Sequence, residues 1–157
     1  MTRQTFRNAL ADFRAAVIEM GDLVLERLDR AVTALVTDDD DLAQAVIEGD
    51  EDVNRRYLKL EADCIDLFAL EAPVAGDLRL VAASFKIITD LERVGDLAAN
   101  LGRYTLSSRL DAVPAADVAN IGRVAGDLLE DALSAYETEN AADCRAIVER
   151  DDEIDAH

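Results

Sequence analysis

Apolar residues recur at steps of three and four along the first 37 positions, and this spacing predicts one long amphipathic helix. The recurring residues are Phe6, Leu10, Phe13, Val17, Met20, Val24 and Ala31. Arg27 interrupts this apolar stripe, and an acidic run at 38–41 follows the helix. Because acids stabilise the start of a helix, the run predicts both a connection and the first turn of the next helix.

The same spacing predicts a second and a third helix. The second carries Leu42, Val46, Gly49, Val53, Tyr57, Leu60, Cys64 and Leu67 and ends before Pro73. The third begins at Asp77 and continues to about Leu106. Its first apolar stripe comprises Leu78, Val81, Phe85, Ile88, Gly95, Ala99, Gly102 and Leu106, and its second comprises Leu80, Ser84, Ile87, Leu91, Val94, Ala98 and Leu101. A helix that is apolar on two sides packs against two neighbours, so we expect it at the centre of a three-helix bundle.

Two shorter helices complete the prediction. Pro114 suits the first position of a fourth helix, which runs to about Thr138, and a fifth helix starts near Asn140. The chain has only seven glycines and two prolines, so it offers little turn chemistry for a sheet of many strands. The sequence therefore predicts an all-α protein.

An internal repeat organises these helices. When the sequence is shifted by about 101 residues, Gly21 aligns with Gly122, and the segment 46–54 aligns with 147–155. In that segment Asp50 falls on Asp151. We therefore predict a repeated three-helix bundle, with a first repeat at 1–108 and a second at 114–157. The second repeat lacks its last helix, which predicts an exposed groove where that helix would pack.

The charge of the chain is extreme, with 34 acids, 16 bases and a net charge of −18. Such a chain repels phosphate backbones and anionic lipids, so we expect no contact with nucleic acid or with a membrane surface. Most of the acids are expected to form a solvated surface suited to high salt, which screens their mutual repulsion. This interpretation implies a halophilic source.

Cysteine usage and the lack of apolar segments predict a cytoplasmic location. Cys64 and Cys144 both occupy apolar helical positions, and we expect two buried free thiols in a reducing compartment. The N-terminal segment is charged where a signal peptide needs an apolar run. No apolar stretch approaches the ~20 residues of a membrane span, so direct membrane insertion is not expected.

Two acids in the third helix raise a question of chemistry. Glu92 takes a position in the first apolar stripe, and Asp96 lies one turn later on the same face. Two like charges at this spacing disfavour a helix, and partial burial raises the cost unless a proton, an arginine or a metal ion neutralises them. Arg103 is one candidate partner for Asp96. Gly95 and Gly102 leave room for a neighbouring helix or an ion.

The second helix offers a matching pair, Asp50 with Asn54 one turn later, and the second repeat carries Asp151 with Asp155. Two facing helices with two oxygen ligands each can surround a hard cation such as Mg²⁺, Mn²⁺ or iron, whereas structural zinc prefers sulfur and nitrogen. The spacing arises often by chance in a chain with this many acids. Ordinary charged helix faces therefore remain the alternative at this point.

Three segments together resemble the PhoU family: VIEMGDLVLERLDRAV, DLAQAVIEGDEDVN and GDLRLVAASFKIITDLERVGDLAANL. The most specific part is the motif at Asp77–Val81, Lys86 and Asp90–Asp96. The resemblance implies two three-helix repeats that bind iron, zinc, magnesium or manganese through acidic motifs. Carried over by position, the metal ligands would be Glu92, Asp96, Asp50, Asn54, Asp151 and Asp155. Asn54 departs from the acidic pattern and would be a weaker, neutral ligand.

The resemblance also implies a function in regulation. Proteins of this family regulate phosphate uptake and phosphate signalling through contacts with the ATPase subunit of the phosphate ABC transporter and with a sensor kinase. A second copy of the chain could fill the groove in the second repeat, so we expect a homodimer.

Enzymatic activity is not expected. A carboxylate-bridged di-metal oxidase needs Glu-x-x-His motifs, but the single histidine is the terminal His157. No internal histidine is available to activate a nucleophile, and the glycines do not cluster into a phosphate-binding loop. A helical adaptor without metal, whose acids serve only solubility, remains the alternative function.

Overall fold

A computed structural model describes residues 3–70, 75–107 and 115–155, excluding the side chains of 70, 75, 115 and 152–155. These ranges form six α-helices and contain no strand, which confirms the predicted all-α class. The helices are α1 (Arg3–Thr37), α2 (Asp40–Glu48), α3 (Asp50–Leu70), α4 (Ala75–Ser107), α5 (Ala115–Thr138) and α6 (Ala141–Asp155).

The prediction of one continuous second helix is wrong, because the chain divides it at Gly49 into α2 and α3. The Asp39 carboxylate caps α2 by accepting a hydrogen bond from the Leu42 amide at 3.0 Å. At the break, the Gly49 N–H donates to the Ala45 carbonyl and the Asp52 N–H donates to the Gly49 carbonyl. Three acids then form the first turn of α3, where they favour a new helix start.

Helix α4 lies at the centre of the first bundle, as predicted, and packs against α1, α2 and α3. Its inward residues Val81, Ile88, Leu91 and Ala98 are at most 2% exposed. They meet a stripe of buried residues on α1, which are Phe6, Leu10, Phe13, Val17, Met20, Val24, Ala31 and Ala34. The apolar repeat of α1 was therefore a reliable guide to the core.

Three residues of the first predicted stripe of α4 lie at the surface instead. Leu78, Phe85 and Leu106 are exposed, whereas Val81 and Ile88 on the same stripe are fully buried. Helical spacing identifies the apolar side of a helix, but it does not show how much of that side a neighbouring helix covers.

Helix α5 packs along α1, and the two glycines of the repeat make reciprocal contacts there. A Cβ atom on Gly21 would lie 2.5 Å from Leu133 Cδ1, and one on Gly122 would lie 2.6 Å from Val32 Cγ2. Leu133 and Val32 are themselves equivalent under the shift of about 101 residues. The internal repeat therefore has a counterpart in the packing, although the domain boundaries at 1–108 and 114–157 remain a prediction.

Two other contacts join α5 to α4 and to α1. The hydroxyl of Tyr136 hydrogen-bonds with that of the buried Ser84 on α4 at 2.7 Å. Arg14 of α1 donates to the Tyr136 and Glu137 carbonyls at the end of α5. An open groove of about 610 Å³ lies between α1 and α5, further from the end of α5. It runs between Asp22–Thr37 of α1 and Ala119–Glu130 of α5.

Helix α6 packs against α5, and an ion pair between Arg150 and Asp131 joins them at 2.5 Å. Cys144 on α6 is exposed, so the prediction of two buried thiols holds only for Cys64. Cys144 aligns with Ala43, which is buried because α4 covers α2. Among the described residues, no helix is both long and apolar enough to cross a membrane.

Candidate metal centre

Helices α3 and α4 approach each other closely at the position of the acidic motifs. A Cβ atom on Gly95 would lie 2.9 Å from Cγ1 of Val53, which is 1% exposed. Only a residue without a side chain permits this approach, since valine cannot easily turn away in a packed core. The contact places the first turn of α3 beside the middle of α4, and so brings Asp50 to the level of Glu92 and Asp96.

Glu92 is partly buried, and its pKa is raised above the ordinary range for glutamate. Burial is the main cause, followed by a hydrogen bond with the Asp96 carboxyl and by the charges of Asp96 and Asp50, while Arg93 opposes the shift. The electrostatic cost expected from the sequence is therefore present in the structure. The raised pKa means that protonation of Glu92 reduces this cost.

Asp50 also has a raised pKa, because it is partly buried and lies near the charge of Asp96. Two cations act in the opposite direction, Arg27 from α1 and Arg103 from α4. Arg103 was expected as a partner for Asp96, but its guanidinium donates to Asn100 at 2.7 Å and its charge acts on Asp50. Three carboxyls and two arginines therefore share one region of the bundle.

No role was predicted for Arg27 from the sequence, yet it is only 8% exposed. Its guanidinium donates to the Val46 carbonyl at the end of α2 and fills the space where a side chain on Gly49 would lie. Its Nε has no partner among the described residues. The interruption of the α1 apolar stripe at Arg27 was the signal that could have revealed it.

The remaining predicted ligands are placed less favourably. Asn54 lies one turn beyond Asp50 on α3, is exposed, and makes no side-chain hydrogen bond with a described residue. Asp151 is exposed on α6, and α6 packs against α5. The side chain of Asp155 lies outside the described residues. The structure thus brings together Glu92, Asp96 and Asp50 but not the pair from the second repeat.

The chemistry of this cluster suits a hard cation, because its donors are carboxylate oxygens with an amide oxygen one turn away. The arrangement is not a closed ligand shell, however. Among the described residues, no three His, Cys, Asp or Glu side chains are positioned to hold one metal ion together. A cation bound here would compete with the proton that the raised pKa of Glu92 favours.

Comparison with known proteins gives this cluster a context. The family model described as the PhoU domain matches residues 17–105, which include α2, α3 and nearly all of α4. The chain belongs to the PhoU family. The crystal structure of PhoU from Pseudomonas aeruginosa superimposes with a TM-score of 0.91 at 30% identity, over 96% of this chain and 74% of that one. The PhoU structure from Streptococcus pneumoniae gives 0.88 at 28% identity, over 96% and 72%.

Curated PhoU relatives show the same similarity. The Aquifex aeolicus homologue is 30% identical over 93% of this chain and 67% of its own length. The Escherichia coli protein is 34% identical over 96% of this chain and 63% of its own length. Both are named phosphate-specific transport system accessory proteins. This PhoU-family chain therefore spans about two thirds of the relatives that it matches.

Proposed function

We propose that this PhoU-family chain is a metal-binding regulator of phosphate uptake that acts through protein contacts and is not an enzyme. The observation that supports the metal site is the cluster of Glu92, Asp96 and Asp50, in which partial burial and like charges raise the pKa of two carboxyls. Such a cluster is unfavourable when fully ionised unless a cation joins it. The names of the relatives support a role beside a phosphate transporter.

Each residue has a distinct role in the proposed site. Glu92 and Asp96 would hold the cation from α4, Asp50 would contribute a carboxylate from the start of α3, and Asn54 would add a neutral oxygen. Magnesium, manganese, iron or zinc would supply positive charge that joins the two helices. Asp151 and Asp155 are the proposed ligands of a second site.

The proposed partner is the ATPase subunit of the phosphate ABC transporter, with a sensor kinase as a further partner. We propose a cytoplasmic homodimer, in which the groove between α1 and α5 is the surface available to a second copy. The acid-rich surface, with a net charge of −18, supports function at high salt and without nucleic acid.

The experiment that tests the metal site compares two double variants with the same loss of charge. Glu92→Gln with Asp96→Asn removes the paired carboxylates, while Asp22→Asn with Glu26→Gln removes two exposed acids at the same spacing on α1. Proteins are loaded with each metal in turn, dialysed and analysed for bound metal by mass spectrometry. We expect the first variant to lose at least about tenfold in affinity, because two charged ligands are gone.

Wild-type affinity in Glu92→Gln/Asp96→Asn would overturn the ligand assignment. Equal losses in both variants would show that the metal is held by general negative charge. Circular dichroism controls for folding, and we expect unchanged helical content in both proteins.

The second candidate function is a helical adaptor without metal. The open arrangement of the carboxylates favours it, since the described residues form no ready ligand shell. In that case, a chelator leaves the melting temperature unchanged and purified protein contains no stoichiometric metal. A melting temperature that rises with added metal and falls again with chelator would exclude the adaptor.

A further inference from the structure

Exposed apolar side chains are concentrated on α3 and α4, which carry eight of the twelve large ones among the described residues. Four of them are close to the joined ends of these helices: Ile65 and Phe68 on α3, and Leu78 and Phe85 on α4. The Cys64 Sγ lies 3.7 Å from the Val81 carbonyl, so the last part of α3, which carries Ile65 and Phe68, lies beside the first part of α4, which carries Leu78 and Phe85. We call the surface formed by these four residues the α3–α4 groove.

The exposure of these four residues is unusual for a hydrated surface. Ile65 is 56% exposed, and the others are between 37% and 41% exposed. Single exposed apolar residues are common, but a contiguous group of large ones marks a surface that contacts another molecule. The net charge of −18 makes such a group more notable, because most of the surface is strongly hydrated.

Two cations border the groove on its α4 side. Arg79 and Lys86 are seven residues apart, so they lie on the same side of α4, and each directly follows an apolar residue of the groove. Both are exposed, and neither forms an ion pair or hydrogen bond with a described residue. On the α3 side the charged neighbours of Ile65 are acids, Glu61 one turn before it and Asp66 directly after it. The groove therefore has one basic edge and one acidic edge.

We propose that the α3–α4 groove binds an amphipathic helix of a partner protein, whose apolar face contacts Ile65, Phe68, Leu78 and Phe85 and whose acidic edge meets Arg79 and Lys86. Two antiparallel helices present ridges and grooves that accept a third helix, as they do throughout this bundle. Nucleic acid is excluded by the overall charge, and the asymmetry of the edges sets the orientation of the bound helix.

Salt should affect this contact in a characteristic way. At low salt the net charge of the whole protein repels an acidic partner over long distances. At about 1 M salt the Debye length is only ~3 Å, so the long-range repulsion is screened while apolar contacts persist. We expect binding to be stronger at about 1 M potassium chloride than at about 0.15 M.

The test uses a displayed library of random helical peptides selected on the full chain at high salt. The groove variant is Phe85→Ser with Lys86→Glu. The matched control is Val148→Ser with Arg145→Glu, which changes an exposed apolar residue and an exposed arginine one turn apart on α6. We expect the enriched peptides to be amphipathic with an excess of acids. Fluorescence anisotropy should show binding to be at least about tenfold weaker for the groove variant and within about twofold for the control.

Each other outcome contradicts the proposal. No enrichment, enrichment of basic peptides, or equal affinity for the groove variant would show that the groove does not bind an acidic helix. A homodimer that dissociates in the groove variant would assign the groove to a second copy of the chain. Circular dichroism and melting within about 3 °C of wild type confirm that both variants are folded.

The groove proposal rests on the proposed function in regulation, and it adds the surface that contacts a partner protein. Peptide binding that persists in Glu92→Gln/Asp96→Asn would separate the groove from the metal site. If the protein binds metal but binds no acidic helical peptide, the groove proposal is wrong and the proposed metal site is unaffected.

Discussion

Asp50 and Asp151 occupy equivalent positions in the internal repeat, yet they lie in different surroundings. Asp50 is partly buried beside α4, and its pKa is raised by burial and by Asp96. Asp151 is exposed on α6, which packs against α5. The same short acidic motif therefore becomes an electrostatically unusual site only where a further helix packs against it. The motif supplies the donors, and the neighbouring helix supplies the low-dielectric surroundings.

The close approach of α3 and α4 can be disrupted by a larger side chain at Gly95. Gly95→Leu places a large side chain against Val53, and we expect a loss of about 2–3 kcal/mol in the free energy of unfolding. Gly126→Leu on α5 is the control, because nothing lies within 4 Å of a Cβ atom there. The control should be neutral or up to about 1 kcal/mol more stable. Urea denaturation measures both, and equal effects would contradict the close contact.

A dependence on pH sharpens the difference between the two aspartates. The pKa values of Glu92 and Asp50 are raised in the folded protein, so the folded state holds protons more tightly than the unfolded state. Their contribution to stability is present below the ordinary pKa values and is lost as pH rises through the raised values. We expect metal-free protein to lose stability as pH rises from about 4 upward.

Substitution identifies the groups responsible for that loss. Glu92→Gln and Asp50→Asn should each flatten the fall in stability with rising pH, whereas Asp151→Asn should leave this part of the profile unchanged. The comparison between variants matters, because the net charge of −18 adds its own repulsion as the acids ionise. The same flattening in Asp151→Asn would attribute the effect to net charge.

Arg27 offers the smallest expected effect. Its charge lowers the pKa of Asp50, so Arg27→Met should raise that pKa further. A carboxyl-carbon NMR titration of the Asp50 side chain measures the change. Arg27→Lys is the matched variant, because it keeps the charge while losing the planar group that reaches the Val46 carbonyl. An unshifted Asp50 in Arg27→Met would show that Arg27 only fills space.

The local spacing of apolar residues predicted most of the helices, but it did not predict the break at Gly49. The apolar steps through Val46, Gly49 and Val53 continue without interruption, so they predict one helix. At the division, Arg27 of another helix donates to the Val46 carbonyl and occupies the space beside Gly49. The prediction that Cys144 is buried failed for a different reason. Cys144 takes an apolar position in the sequence, but no described helix covers that face of α6, so the thiol is exposed.

The sequence by itself determined the helical class, the central position of α4 and which acids are candidate ligands, because all three follow from local spacing and residue chemistry. Only the tertiary structure decided which acids meet. Asp50 reaches Glu92 and Asp96 because Gly95 lets α3 approach α4, while Asp151 remains exposed. The reason is physical: periodicity specifies a face of a helix, but burial and the distances between charges depend on the partner that covers that face.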